Sequence, residues 1–124
     1  MLSINYKDPR PIYEQVRDAL RQLILSGAIA PGERLPSVRE LAASLAINPN
    51  TIQRSYRELE KLGLVNTVAG KGAFAATDGT AALRWREELM ATLSSTLREL
   101  KLLGVSESEV QSMVLAAFRK EDET

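Results

Sequence analysis

The sequence predicts a mainly α fold with a small β-hairpin. Three observations predict it. Capping residues and glycine stops bracket apolar residues at three- and four-residue spacing through most of the chain. Two of the helices marked in this way, between Leu35 and Gly63, are separated only by Ala46 and Ile47. The two β-prone runs, Leu64–Val68 and Ala73–Ala75, flank the glycine turn Ala69-Gly70-Lys71-Gly72.

Residues 1–10 read as an extended leader, because Pro9 and Pro11 disfavour helix before them. Pro11 can open a helix, in which Ile12, Val16, Leu20, Leu23 and Ile24 repeat at helical spacing until Gly27. Arg17 and Arg21 then fall on its polar side, a solvated face. Ala30-Pro31-Gly32-Glu33 is turn chemistry, and Arg34-Leu35-Pro36 is a short extended piece. Ser37-Val38-Arg39-Glu40 has the form of a capping box, in which Ser and Glu each satisfy an orphan N–H. Val38, Leu41, Ala42 and Leu45 supply the apolar side of that helix. Asn48 suits the next N-cap and Pro49 the first helical position, where no donor is needed. Ile52, Tyr56, Leu59 and Leu62 follow on one side, and Gly63 stops the helix.

A short helix, a tight turn and a second helix with polar residues at its start form a helix-turn-helix. The hairpin directly after it is a wing, so the sequence predicts a winged helix-turn-helix domain over residues 1–76. Gly70 and Gly72 let the wing tip approach a backbone closely, and Lys71 carries charge to it. The glycines are not a phosphate-binding P-loop. Val65 stands where that motif's first Gly belongs, and Gly72 stands where Ser or Thr should follow Lys71.

Thr77-Asp78-Gly79 marks the boundary. Beyond it Leu83, Leu89, Leu93, Leu97 and Leu100 line a helix that ends at Gly104, with Trp85 and Met90 beside the stripe. Ser106-Glu107-Ser108-Glu109 is a second capping box, and Val110, Met113, Val114, Ala117 and Phe118 form the last amphipathic face. The tail Glu121-Asp122-Glu123 is acidic. Two helices cannot bury two apolar stripes alone, and segments this short fold with help from oligomerisation, metal or disulfide. Without Cys or His, oligomerisation remains, so residues 77–124 read as a two-helix dimerisation region. The competing arrangement packs these helices back on the N-terminal domain.

The 124 residues suffice for one small domain with an appendage. Formal net charge is zero, but residues 1–76 hold 10 Lys/Arg against 7 Asp/Glu, and residues 77–124 hold 6 against 9. A basic front suits an anionic partner. The absence of Cys and His removes thiol chemistry, imidazole catalysis and the usual transition-metal ligands, so no catalytic residue, metal or cofactor is expected. The N-terminus lacks an apolar signal core and no run approaches membrane-spanning length, so a cytoplasmic protein without membrane contact is expected.

Asn48, Asn50, Thr51, Gln53, Arg54 and Arg57 cluster in the first turns of the second helix of the pair. Asn and Gln pair bidentately with adenine, Arg with guanine, and Thr touches a thymine methyl or a phosphate. The helix N-terminus itself attracts phosphate. These features point to double-stranded DNA.

The run PIYEQVRDALRQLILSGAIAPGERLPSVRELAASLAINPNTIQRSYRELEKLGLV, followed by GKGAF, closely resembles the N-terminal domain of the GntR family of bacterial transcriptional regulators. The resemblance covers about residues 10–76. Its PG-x-x-LPS-x-REL block, N-x-x-T-I helix start, LE-x-x-GL junction and G-x-G wing all occur in register. The short two-helix tail is similar to the YtrA subfamily, whose members are dimers that commonly repress operons for ABC transporters. The resemblance implies that Arg39 reaches DNA. It implies that Asn48, Asn50, Thr51, Gln53 and Arg54 contact bases and phosphates, and that Gly70 and Lys71 enter the minor groove. Many relatives with large effector domains carry Arg where this chain has Pro49 and Gln53, so base preference does not transfer from them.

The expected function is therefore a dimeric, sequence-specific repressor on an inverted-repeat operator. A small-molecule effector between the leucine-faced helices is compatible with it. A winged-helix module that binds protein instead of DNA is the alternative. An enzyme is not expected: the chain ends too soon for the aminotransferase-like domain that some relatives carry.

Overall fold

The computed structural model describes residues 2–122, with side chains up to residue 119. Its elements are α1 (Ile12–Leu25), α2 (Val38–Leu45), α3 (Pro49–Lys61), β1 (Val65–Val68), β2 (Gly72–Ala75), α4 (Thr80–Leu102) and α5 (Glu107–Asp122). The acidic tail expected at Glu121 to Glu123 lies outside the described side chains. No described helix is long and apolar enough to cross a membrane. The chain divides into two compact units, residues 2–84 and the remainder from Trp85.

The first unit is organised by the apolar stripes of three helices. Val16 and Leu20 of α1, Leu41 and Ala42 of α2, and Ile52, Tyr56 and Leu59 of α3 are buried together with Leu35, Leu64, Val65, Ala75 and Ala81. Two buried polar residues fasten this core. Ser55, fully buried on α3, donates to the Tyr13 carbonyl of α1 at 2.8 Å. Gln15 of α1 holds the leader: its amide donates to the Asn5 and Arg10 carbonyls, and its Oε1 accepts from the Asn5 N–H. The leader is therefore docked, with Leu2 and Ile4 packed against the core, and turns at Tyr6–Arg10. A two-residue polar handshake and two apolar side chains outweigh the extended preference set by the prolines.

Each capping box forms by half. Ser37 Oγ accepts from the Glu40 N–H and Ser106 Oγ from the Glu109 N–H, both at 3.1 Å. Neither glutamate returns a bond to its serine N–H among the described residues; both carboxylates are exposed to water, which satisfies them equally well.

β1 and β2 pair antiparallel with Val65 opposite Ala75 and Val68 opposite Gly72. A two-stranded ribbon is marginal by itself. Here the extended piece before α2 adds a third rung: Gly32 N donates to Ala75 O, Ala75 N to Glu33 O and Leu35 N to Ala73 O, all within 2.8–2.9 Å, with Arg34 opposite Phe74.

The first turn of α4 belongs to the first unit. Ala81 is buried in its core, and Arg84 Nη2 donates to the Leu62 carbonyl at the end of α3 at 2.7 Å. In the second unit α4 ends at Gly104 (φ 82°), and Val105 N returns to Leu100 O. The leucine stripe is largely uncovered. Leu89, Leu93 and Leu97 are 48, 50 and 37% exposed, and Met113, Val114 and Phe118 are 65, 48 and 73% exposed. Leu83 and Ala117 are exposed as well, whereas Leu100 and Val110 are half-buried.

Tyr56 supplies a test of the core. Its hydroxyl donates to the Pro36 carbonyl at 2.6 Å, tying α3 to the chain before α2. Burial, with the Glu40 charge second, pushes its phenol up to about 12. The folded state thus holds this proton more tightly than the unfolded state. Its contribution is complete below pH 10.0 and drains as pH climbs through about 12. Tyr56→Phe should cost about 1 kcal/mol in urea unfolding at neutral pH. It should also flatten the alkaline fall in stability; parallel pH profiles for the two proteins would refute the assignment.

Candidate nucleic-acid interface

The interface is built outward from α3. Ile52, Ser55, Tyr56 and Leu59 are its buried residues, spaced i, i+3, i+4, i+7. Asn50, Gln53, Arg54 and Arg57 repeat that spacing two positions earlier, about 200° around a helix of 3.6 residues per turn, and all are exposed. Burying one stripe therefore presents the other.

Asn48 is the N-cap: its Oδ1 accepts from the Asn50 N–H at 2.8 Å, with Pro49 in the first turn. The cap commits the Asn48 oxygen, leaving its exposed amide nitrogen for other partners. Thr51 is half-buried, and its carbonyl lies 3.2 Å from Ser55 Oγ. It is the least accessible of the residues expected at this helix start. Arg54 lies over the ring of Tyr13, 3.7 Å from its centroid. That stacking was not legible in the sequence, since Tyr13 is 41 positions away on α1. It holds the guanidinium in a fixed place while leaving its edge open.

Arg39 is exposed in the first turn of α2. Between α2 and α3, Ala46 adopts the left-handed conformation (φ 55°, ψ 47°). Its N–H bonds back to Ala43, and Ile47 N bonds back to Ala42 O. This is how two helices turn within three residues. At the wing tip Lys71 N closes the turn on Val68 O, and Gly70 (φ 76°) has nothing within 4 Å of the place a Cβ would occupy. Lys71 is exposed. Gly72 (φ 118°) begins β2.

Electrostatics separate these cations from those of α1. Asp18 gathers Arg10, Arg17 and Arg21 at 2.8–3.1 Å, and Arg10 also binds Asp8. Hydrogen bonds from Arg10 hold the Asp8 carboxyl below its ordinary range. Arg39, Arg54, Arg57 and Lys71 make no ion pair among the described residues. No cluster of His, Cys, Asp or Glu among those residues could hold a metal.

A three-helix core, an exposed polar helix and a three-rung hairpin define a winged helix-turn-helix regulator. Residues 12–75 match the family described as bacterial regulatory proteins, gntR family, and the chain belongs to that family. It is 37% identical over 100 residues, 81% of this chain and 75% of the relative, to the HTH-type transcriptional repressor YtrA of Bacillus subtilis strain 168. A GntR family transcriptional regulator from Listeria monocytogenes superposes with a TM-score of 0.73 at 33% identity, covering 88% of this chain and 96% of that one. The DNA-binding domain of AraR in complex with operator ORX1 superposes with a TM-score of 0.56 at 29% identity, over 60% of this chain and 96% of that one. The chain is a DNA-binding transcriptional regulator.

Ala46 generates a stability test. A left-handed residue with a Cβ costs about 1–2 kcal/mol relative to glycine, partly offset by glycine's greater freedom when unfolded. Ala46→Gly should therefore raise the unfolding midpoint while leaving DNA affinity unchanged. A lower midpoint would show that the turn is not strained.

Proposed function

We propose that the chain is a dimeric repressor of a transporter-type operon, with each α3 and wing occupying one half-site of an inverted repeat. The observation that carries this reading is the exposed stripe Asn50, Gln53, Arg54 and Arg57, flanked in sequence by the unpaired cations Arg39 and Lys71. Gln53 and Asn50 read bases; Arg39, Arg54 and Lys71 supply phosphate and groove electrostatics. Asn48 and Thr51 orient the helix start, and Gly70 and Gly72 shape the tip that Lys71 carries into the groove. The second copy is supported by the apolar face of α4 and α5. Burying a side chain such as Leu93 or Phe118 against a partner contributes roughly 1.5–3 kcal/mol. The same face includes Leu83, Leu89, Leu97, Leu100, Val110, Met113, Val114 and Ala117.

The repressor role is supported by similarity to the repressor named YtrA; the transporter-type target rests on the subfamily resemblance of the two-helix tail. An effector would act by favouring one spacing of the two DNA-binding heads. We assign it the groove of about 530 Å3 between α4 and α5, lined in part by Leu97, Leu100, Val105 and Val110.

Selection from random duplexes at fixed salt tests the reading. Enrichment of an inverted repeat is expected; retention without sequence enrichment would overturn it. On the enriched duplex, Arg39→Ala should weaken all sequences alike and flatten the salt dependence, whereas Gln53→Ala should alter preference at one base pair by ~1–3 kcal/mol. Uniform loss in both variants would remove Gln53 from base reading. Leu93→Glu should sediment as a monomer and lose most of its preference for two half-sites over one. A dimeric Leu93→Glu would place the interface elsewhere.

A further inference from the structure

The rung that precedes α2 brings a further cation to the wing. Arg34 is exposed and stands opposite Phe74 of β2. Its side chain runs along β2 toward the tip. Nε, Nη2 and Cζ lie 3.0, 3.5 and 3.6 Å from the point where a Cβ on Gly72 would sit. A Cβ at position 72 would press on the guanidinium, which would have to give by a few tenths of an ångström; glycine leaves that place to it. It thereby reaches the backbone of the residue that directly follows Lys71.

Among the described residues the guanidinium has no carboxylate paired with it. Arg34 makes no ion pair among the described residues. The adjacent Glu33 turns away, its Oε1 accepting from the Ala30 N–H at 3.0 Å. Two cations held at one hairpin repel each other unless an anion lies across them. A guanidinium already packed on a strand has less freedom to lose on binding, and its planar fork matches phosphate oxygens.

We infer that Arg34 is a second DNA-contacting cation of the wing, binding backbone phosphate beside Lys71. The inference rests on the hairpin acting as a wing against DNA. As a phosphate contact, Arg34 adds affinity without sequence preference and positions the wing.

The test uses the full chain, the duplex selected by the wild type and a duplex of unrelated sequence, over a salt series. Arg34→Gln should weaken both duplexes by about threefold or more between 50 and 200 mM salt and lower the log–log salt slope by about 0.9. Arg34→Lys should keep the wild-type slope. Thermal unfolding read alongside separates packing from charge: a slope loss in Arg34→Gln that Arg34→Lys restores supports the contact, even if both melt early. A slope loss shared by Arg34→Lys, or an unchanged slope in Arg34→Gln, overturns it. Loss confined to the selected duplex also overturns it, since that outcome means base reading. Lys71→Gln serves as the control for the wing. If that variant too keeps the wild-type slope, the hairpin does not meet DNA and the wing reading fails with it; if it alone loses slope, only the role of Arg34 is lost.

Discussion

The rotation of α3 about its own axis is what the rest of the molecule depends on. Ser55 has no accessible surface, and its hydroxyl lies within bonding distance of Tyr13 O on α1 and Thr51 O on α3. A buried hydroxyl without a partner costs more than a hydroxyl in water, so this bond selects one rotation and disfavours its neighbours. Ile52 and Leu59, one turn to either side, are equally inaccessible and permit no slack. With that face fixed, Asn50, Gln53 and Arg57 have only solvent to face. Arg54 is then placed over Tyr13, the residue whose carbonyl Ser55 holds. One interhelical contact thus orients both the stripe that reads bases in our proposal and the cation beside it.

The hairpin is fixed by chain that precedes the helices it follows. Its second strand, β2, pairs with residues 32–35 before α2 begins, so the wing is bonded to the helix-turn-helix at both ends. Tyr56 reinforces the same segment through the Pro36 carbonyl. α3 and the wing are therefore both anchored on a stretch of Glu33 to Pro36. In our proposal the tip approaches a groove, and a rigid hairpin loses little freedom on binding.

Much of this was legible in the sequence because it is local. Caps, glycine stops and apolar spacing act within a few residues, and Ser37, Asn48, Pro49 and Ser106 stand where those rules put them. Residues joined across long separations were not legible. Ser55 and Gln15 are ordinary polar residues until the partners of α1 and the leader are known. Ala46 carries no sign of a left-handed backbone, since alanine, unlike glycine or asparagine, has no preference for one; the demand comes from two helices that must turn within three residues. For the candidate site, residue type and position on α3 were readable. The platform under Arg54 and the course of Arg34 along β2 were not, because both depend on elements that meet only in the folded chain.

Net charge shows the same division between local and folded information. A formal charge of zero conceals how the cations are used. At Asp18 of α1, Arg17 and Arg21 of the same helix and Arg10 of the leader converge and cancel much of their field. Salt bridges this exposed contribute little stability, so their larger effect is to quiet that surface. Arg39 on α2, Arg54 and Arg57 on α3 and Lys71 on the hairpin make no such pair among the described residues. The contrast matters for a protein that must distinguish one face of itself to a polyanion. Association with DNA scales with the counterions displaced, and a cation already paired to a carboxylate displaces fewer. In our proposal, orientation on the duplex follows from where pairing is withheld, before any base is read. The C-terminus of α3 follows a related logic: its Leu62 carbonyl, at the negative end of the helix dipole, is met by Arg84 rather than left toward solvent. Gly63 has no Cβ to obstruct that guanidinium, which would otherwise lie 2.9 Å away. The cation spent there strengthens the helix end opposite the one our proposal turns toward phosphate.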